Sequence, residues 1–419
     1  MTRQPRPRKA RGGSRVGERF EAVVGPIAHG GHCIVRLEGT ADGPSDRPRV
    51  VFVRHAIPGE RVVVEITEGT EGDRFWRGDA VEVLEASRDR VEPPCPYAGP
   101  GRCGGCDFQH VALPRQRELK AAVVREQLGR LAQTDVHVEV EPVPGAAPNP
   151  DADADLDAGL RWRTRIQWAV GPRGRRGLRK YRSREVIPID DCLITRPDAR
   201  AISRAGTTLD RHATALSTVV GERVDVPRYG GEHVFAVEAD GFWQVHPGAP
   251  RVLVETVLDL LAPRRGETAL DLYSGVGLFA RYLADAVGPT GRVLAVEADR
   301  TASRHARANL AGLEGVDVEC GAVDRVLADP LPPAYSSVDL VVLDPPREGA
   351  RALVVEQVVE RSPRAVAYVA CDPAALGRDV ATFQKLGYQL RSLRALDMFP
   401  MTHHVECVAL LEKTGSDLR

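Results

Sequence analysis

The sequence lacks an excess of either charge, a long apolar run and an even spread of cysteines, and each lack excludes something. Across 419 residues Lys and Arg total 57 against 58 for Asp and Glu, so a net charge of −1 exerts no global pull on nucleic acid. No stretch of about 18 apolar residues exists, so nothing is expected to span a bilayer. The basic N-terminus has no apolar run behind it and does not read as a signal peptide, so a cytoplasmic location is expected. The eight cysteines cluster unevenly in a long chain, which does not suit a disulfide scaffold and points to metal binding or catalysis. No internal repeat is visible.

What is present is a globular composition, 43% hydrophobic and 27% charged, which rules out wholesale disorder and fibrous rods. The length fits roughly two to four domains of about 100–200 residues. Charge is concentrated locally. The first 20 residues carry seven basic residues against Glu18, and residues 161–184 carry ten with no acid.

The chain reads as a multidomain protein in three folded regions behind a basic, disordered tail over 1–14. Residues 15–86 hold five short apolar runs between turn signals, at 20–24, 33–37, 50–53, 62–66 and 80–86. That pattern predicts a small all-β, OB-like barrel, a fold often used on nucleic acid. Residues 87–245 form a central α/β domain with a cysteine cluster. It opens in a Pro-rich loop and continues in a helix over 113–131. An exposed Pro- and Asp-rich insertion follows at 146–159, then strands near 161–170 and 233–237. From 246 to 419 strands at 268–273, 293–297, 316–320, 338–343 and 365–370 alternate with helices, which predicts a Rossmann-like parallel sheet. Two further runs, 390–398 and 405–412, add a closing hairpin.

Three loops at the C-terminal edge of that sheet look like a nucleotide site. The first strand runs into Asp271-Leu272-Tyr273-Ser274-Gly275-Val276-Gly277, where glycines let backbone approach a ligand closely. Ala280 leaves the dinucleotide fingerprint incomplete. Glu297 ends the second strand, placed to accept ribose hydroxyls. Asp344-Pro345-Pro346-Arg347 ends the fourth. Acids at all three loops disfavour a pyrophosphate and favour a cationic or neutral nucleoside such as S-adenosylmethionine.

The fifth strand ends in Cys371-Asp372-Pro373. A helix N-terminus behind it is expected to lower the thiol pKa, although a lone cysteine is equally a buried structural residue. Glu406 opens the last strand and could act as a general base at the same edge, or be a surface charge. Cys95, Cys103 and Cys106 fall within 12 residues, with Cys192 as a candidate fourth ligand. On count, four thiolates fit zinc and an iron–sulfur cluster equally. Cys33, Cys320 and Cys407 lie in strand-like runs and read as structural.

Taken together the motifs resemble the RNA uracil-5-methyltransferases, the family of the bacterial 23S rRNA and tRNA 5-methyluridine enzymes. The resemblance runs in order through Cys103-Gly104-Gly105-Cys106 with Gln109-His110, Phe242-Trp243-Gln244-Val245, Asp271 to Gly275, Asp344-Pro345-Pro346-Arg347, Cys371-Asp372-Pro373 and Asp397-Met398-Phe399-Pro400. It implies an N-terminal TRAM-type barrel and a C-terminal class I methyltransferase domain. It also implies a four-iron–four-sulfur cluster on Cys95, Cys103, Cys106 and Cys192, and an S-adenosylmethionine site using Gln244, Tyr273, Glu297 and Asp344. Cys371 would be the nucleophile and Glu406 the proton acceptor. Two positions depart from the pattern: Asp372 stands where Asn is common, and Leu278 where several members carry Asn near the cofactor. The implied activity is methylation of a uridine C5 in rRNA or tRNA, with the barrel and residues 161–184 holding phosphates. No obligate protein partner is expected, and the chain is expected to be monomeric. Cytosine C5 methylation, or an RNA-binding protein with an inactive methyltransferase fold, are the alternatives.

Overall fold

The computed structural model describes residues 12–37, 48–145, 158–171, 174–202 and 219–415. The expected basic tail therefore lies outside the described residues except at 12–14, and the expected insertion except at 158–159. The chain divides into two compact units. One is assembled from Met1–Leu119, Gly177–Asp191 and Met401–His403, the other from Lys120–Arg176, Cys192–Pro400 and His404–Arg419.

The first unit is built on strands β1 (Arg19–Val23), β2 (Ile27–Ala28), β3 (His32–Leu37), β4 (Arg49–Arg54), β5 (Arg61–Glu68) and β6 (Phe75–Glu85). They form one sheet in the order β1-β5-β6-β4-β3-β2, antiparallel except where β4 runs beside β6. Alternation drives it: Val62, Val64 and Ile66 of β5 point inward with Val51 and Val53 of β4. After β1 the chain folds beside β3, where Gly25 N–H donates to the Ile34 carbonyl and Ile34 N–H to that of Pro26, both at 2.9 Å, and the sheet curls into a barrel. All five expected strands are present, with β2 added and β6 starting earlier. The chain leaving the barrel is fastened at the buried Glu60, whose two carboxylate oxygens each accept from Arg90 at 2.6 Å. Such a pair is tolerable in a core because every charge is met.

The second unit is a sheet covered on both faces. Its strands are β7 (Val140–Pro142), β10 (Thr268–Leu272), β11 (Arg292–Glu297), β12 (Val316–Cys320), β13 (Leu340–Leu343), β14 (Ala365–Ala370), β15 (Tyr388–Asp397) and β16 (Glu406–Lys413), in the order β12-β11-β10-β13-β14-β16-β15-β7. A separate hairpin pairs β8 (Val219–Val226) with β9 (Gly231–Glu238). β13 and β14 are unbroken apolar runs, buried at every residue, as strands with helices on both faces must be. One face packs on helix α1 (Leu113–Ala132) from Ala121 onward, α5 (Arg351–Glu360) and α6 (Pro373–Lys385). The other packs on α2 (Ala249–Leu261), α3 (Leu278–Val287) and the hairpin. The closing hairpin is present, but its last strand inserts antiparallel between β14 and β15. β7 has no counterpart in the sequence pattern. Three residues carry too little periodicity to mark a strand, and its parallel pairing with β15 supplies what the sequence does not.

Candidate active site

The C-terminal edge of the parallel strands collects the residues singled out above. The turn after β10 is tight: Tyr273 has φ +65°, Gly275 +55° and Gly277 +91°, and Gly277 caps α3. Left-handed backbone at a tyrosine is strained and needs support from the surroundings. Here Ser274 N–H donates to the Val296 carbonyl at 3.1 Å, and Gly275 N–H to Glu297 Oε2 at 2.9 Å. Glu297 Oε1 accepts from Asp299 N–H at 2.6 Å, and Asp299 in turn caps α4 (Arg300–Asn309). Glu297 is thus a fixed acid that braces the glycine turn rather than a loose surface charge.

Asp271 is fully buried, with Oδ2 accepting from Ala280 N–H at 2.8 Å. Burial, together with Asp344 and Glu297, pushes its carboxyl up to about 7. Burial does the same to Asp344. Asp271 Oδ1 and Ser274 Oγ are buried and have no hydrogen-bond partner among the described residues. A glycine turn, two orphaned polar atoms and three acids suit a cationic nucleoside that would complete them.

Cys371 follows β14 directly and precedes α6, which Asp372 caps through Ala375 N–H at 2.8 Å. The expectation of a lowered thiol pKa is corrected. Burial first, then Glu406, with Asp344 and Asp372, push Cys371 up to about 12 against the opposing Arg347. Glu406 is also buried, and its carboxyl is raised well above the usual carboxylate range by burial and Asp344, again opposed by Arg347. The last antiparallel pair of β14 and β16 is Ala370 with Cys407, so the next step of the register sets Cys371 against Glu406. Cys407 is buried, as its structural reading requires.

Tyr273, Glu297, Asp344, Cys371 and Glu406 thus share one edge. Gln244 lies elsewhere, on the loop after β9. That loop is seated by Trp243, buried against Phe235, and by the Val245 carbonyl, which accepts from Thr164 N–H at 2.8 Å. The site also has neighbours to which the sequence reading assigns no role. Arg347 lies 3.4 Å from His404 Nε2. Phe399 packs edge-on against both Trp162 and His404. Buried His246 is pushed down to about 4 by burial, and its Nδ1 accepts from Gly248 N–H at 3.2 Å. Arg347 and Phe399 stand inside quoted motifs and are legible there; Trp162 and His246 carry no local signal.

The cysteine loop lies in the first unit. Cys103 Sγ accepts from Gly105 N–H and Cys106 Sγ from the Gln109 side-chain amide, both at 3.4 Å. Such N–H···S contacts suit cluster thiolates, yet among the described residues no three His, Cys, Asp or Glu side chains are placed to hold a metal ion. Cys192 belongs to the second unit, where its carbonyl accepts from Arg161 and Thr195.

The basic stretch is partly structural, not wholly a phosphate surface. Arg165 is buried with Glu222 at 3.0 Å, whereas Arg175, Arg176, Arg179, Arg182 and Arg184 are exposed. Arg173 lies outside the described residues. No described helix is long and apolar enough to cross a membrane.

Comparison with known proteins places this geometry. A family model described as tRNA (Uracil-5-)-methyltransferase matches residues 333–414, and one described as TRAM domain matches residues 13–81. An RNA methyltransferase of Streptomyces avermitilis, described as uncharacterized, is 46% identical over 96% of this chain and 100% of its own length. The 23S rRNA (uracil(1939)-C(5))-methyltransferase of Shewanella amazonensis is 32% identical, over 90% of this chain and 94% of that one. The tRNA (uracil-54, C5)-methyltransferase of Pyrococcus abyssi, solved with S-adenosyl-L-homocysteine, shares the fold at a TM-score of 0.63 and 22% identity, covering 94% of this chain and 100% of that one. The chain is a methyltransferase of the RNA uracil-5-methyltransferase family, and its N-terminal strands are a TRAM domain.

Proposed function

We propose that this chain methylates C5 of a uridine in rRNA or tRNA through a covalent adduct on Cys371, with S-adenosylmethionine as donor. The observation that carries the reading is the placement of a thiol against a carboxyl beside a nucleoside-shaped acidic turn. Uracil C5 is a poor nucleophile. The Cys371 thiol gives up its proton to solvent, its sulfur forms a bond to C6, and the C5=C6 electrons move toward the C4 oxygen as an enolate. When bound, the cofactor would supply an electrophilic methyl group, whose bond to the sulfonium sulfur breaks as its bond to C5 forms, leaving a neutral thioether. Glu406 then removes the C5 proton, the C5=C6 bond re-forms and the carbon–sulfur bond breaks.

A thiol held up to about 12 gives almost no thiolate in the free enzyme. The bound sulfonium cation would favour ionisation in the same pocket. Tyr273 and Gln244 would flank the cofactor, Glu297 its ribose and Asp344 its charge, holding methyl and base in line. A stacked uridine cannot reach this edge, so the target is a flipped-out base in an RNA loop.

The barrel over 15–86 and the region 87–245 would hold the RNA and the domain at 246–419 would methylate it, with 1–14 as a basic tail. Cys95, Cys103, Cys106 and Cys192 are proposed as ligands of a four-iron–four-sulfur cluster, on their spacing and the two N–H···S contacts. No step of methyl transfer runs through it.

The test separates the two catalytic residues. Cys371→Ala should abolish methylation while cofactor still binds. Glu406→Gln should add and methylate but stall before elimination, leaving a denaturation-resistant protein–RNA band that carries the methyl label. Normal turnover by Glu406→Gln would overturn its role, and an adduct in the double mutant would overturn that of Cys371.

A further inference from the structure

The loop that carries Asp344 and Arg347 is tied at its far end to the helix that follows the nucleophile. The tie is Asp379 of α6, buried at 4% exposure. Asp379 Oδ2 accepts from Tyr368 Oη–H at 2.6 Å, from Ala350 N–H at 2.8 Å and from Arg351 N–H at 3.3 Å. The Tyr368 hydroxyl oxygen also accepts from Ala350 N–H, at 2.9 Å. Tyr368 is fully buried on β14, three residues before Cys371. One carboxylate oxygen therefore joins the strand that delivers the thiol, the helix that leaves it, and the end of the loop over 344–350.

The sequence around the joint is built for it. Gly349 has φ +84°, and a Cβ there would meet Asp379 Oδ2 at 2.5 Å, so only glycine lets the backbone come this close. Arg351 is itself left-handed at φ +70°, a conformation held by its N–H bond to Asp379. At the loop's other end Asp344 N–H donates to the Leu272 carbonyl at 3.3 Å. With both ends fixed, Arg347 is presented to Cys371 and Glu406, the two groups on which its charge acts.

We propose that Asp379, with Tyr368, is a positioning residue that holds Arg347 and Asp344 against Cys371. Neither residue touches substrate or cofactor. The proposal rests on the reading of Cys371 as nucleophile given above. Misplacing a reacting group by about an ångström can slow a reaction ~100-fold, which is the scale of effect a broken clamp should have.

The test compares Asp379→Asn, Tyr368→Phe, Arg347→Ala and Cys371→Ala in the full chain. Methylation kinetics are followed together with the pH profile of Cys371 alkylation by iodoacetamide, read on the Cys371 peptide by mass spectrometry. Asp379→Asn should lower kcat roughly 10- to 100-fold. It should also move the alkylation profile to higher pH, as Arg347→Ala does, because the opposing cation has left the thiol. Tyr368→Phe, which removes a single oxygen, should shift both readouts the same way by less, and keeps the question open to test if Asp379→Asn does not fold. A reduced kcat with a wild-type alkylation profile in both clamp variants makes the joint merely structural and overturns the proposal, as does an unchanged kcat. If Cys371→Ala still methylates RNA, the reading of the site falls instead; if it is inactive while both clamp variants behave as wild type, only the clamp falls.

Discussion

Cys371 and Glu406 face each other across an antiparallel ladder, one step beyond its last pair, Ala370 with Cys407. The groups proposed to open and close the reaction are therefore held by backbone pairing rather than by a flexible loop. Glu406 helps to hold the thiol neutral, and burial raises both groups. Both groups rest neutral beside the Arg347 cation, and Glu406 must ionise before it can accept a proton.

Cofactor binding should release protons. Asp271 and Asp344 titrate near about 7 in the folded chain, against 3.8 for the ordinary carboxyl. The folded chain then holds more protons than the unfolded one between those values, so its stability without cofactor should fall as pH rises from about 4 to about 7. A cationic cofactor favours the ionised carboxylates, so its Kd should drop between about pH 6 and pH 8. Calorimetry in two buffers of different ionisation enthalpy measures the protons released. A flat Kd with no release would place both acids away from the cofactor.

RNA affinity should depend on the exposed arginines and not on the buried ones. Replacing Arg175, Arg176 and Arg179 by Ala should weaken binding and reduce the log–log salt slope by roughly 0.7–0.9 for each phosphate that is no longer neutralised. Arg165→Ala should instead lower stability, because it removes the buried partner of Glu222 and leaves that carboxylate only the more exposed Arg200, at 3.3 Å. Filter binding across a salt series decides; an unchanged slope would return the exposed arginines to a solvated face.

Breaking the buried pair Lys120 with Asp397 should cost more stability than breaking a surface ion pair. Their side chains are 0% and 1% exposed, 2.5 Å apart, and Lys120 Nζ also donates to the Phe399 carbonyl at 3.0 Å. Lys120→Ala strands the carboxylate and should cost about 3–5 kcal/mol in urea denaturation. A loss within the range of an exposed pair would show that water reaches the site.

Anaerobically purified protein should be brown and carry about four irons and four sulfides per chain. Cys103→Ser or Cys106→Ser should bleach it. Stoichiometric zinc with no iron would replace the cluster and leave the methyltransferase reading intact.

The fold is legible wherever the pattern is long. The apolar runs at 338–343 and 365–370 read as strands of a helix-covered sheet, and the run at 62–66 as part of a barrel. β7 escapes because three residues have no period. The site is legible as motifs, since Gly275, Glu297, Asp344, Cys371 and Glu406 all lie at or next to strand ends on one edge. What escapes is the environment. A cysteine ahead of a helix reads as an activated thiol until burial and a facing carboxyl are known. Asp379 and Tyr368 sit inside ordinary helix and strand patterns, and only the close pass of Gly349 reveals what they do.

The sheet order has a consequence for biosynthesis. β16, which carries Glu406, is the last of the described strands in sequence, yet it lies between β14 and β15 rather than at a margin. A nascent chain that has emerged only as far as residue 405 therefore presents two open strand edges, one of them the apolar run at 365–370. Such edges invite pairing with other chains and engage chaperones. Closure of the sheet and arrival of Glu406 are one event, so an unfinished translation product is recognisably incomplete.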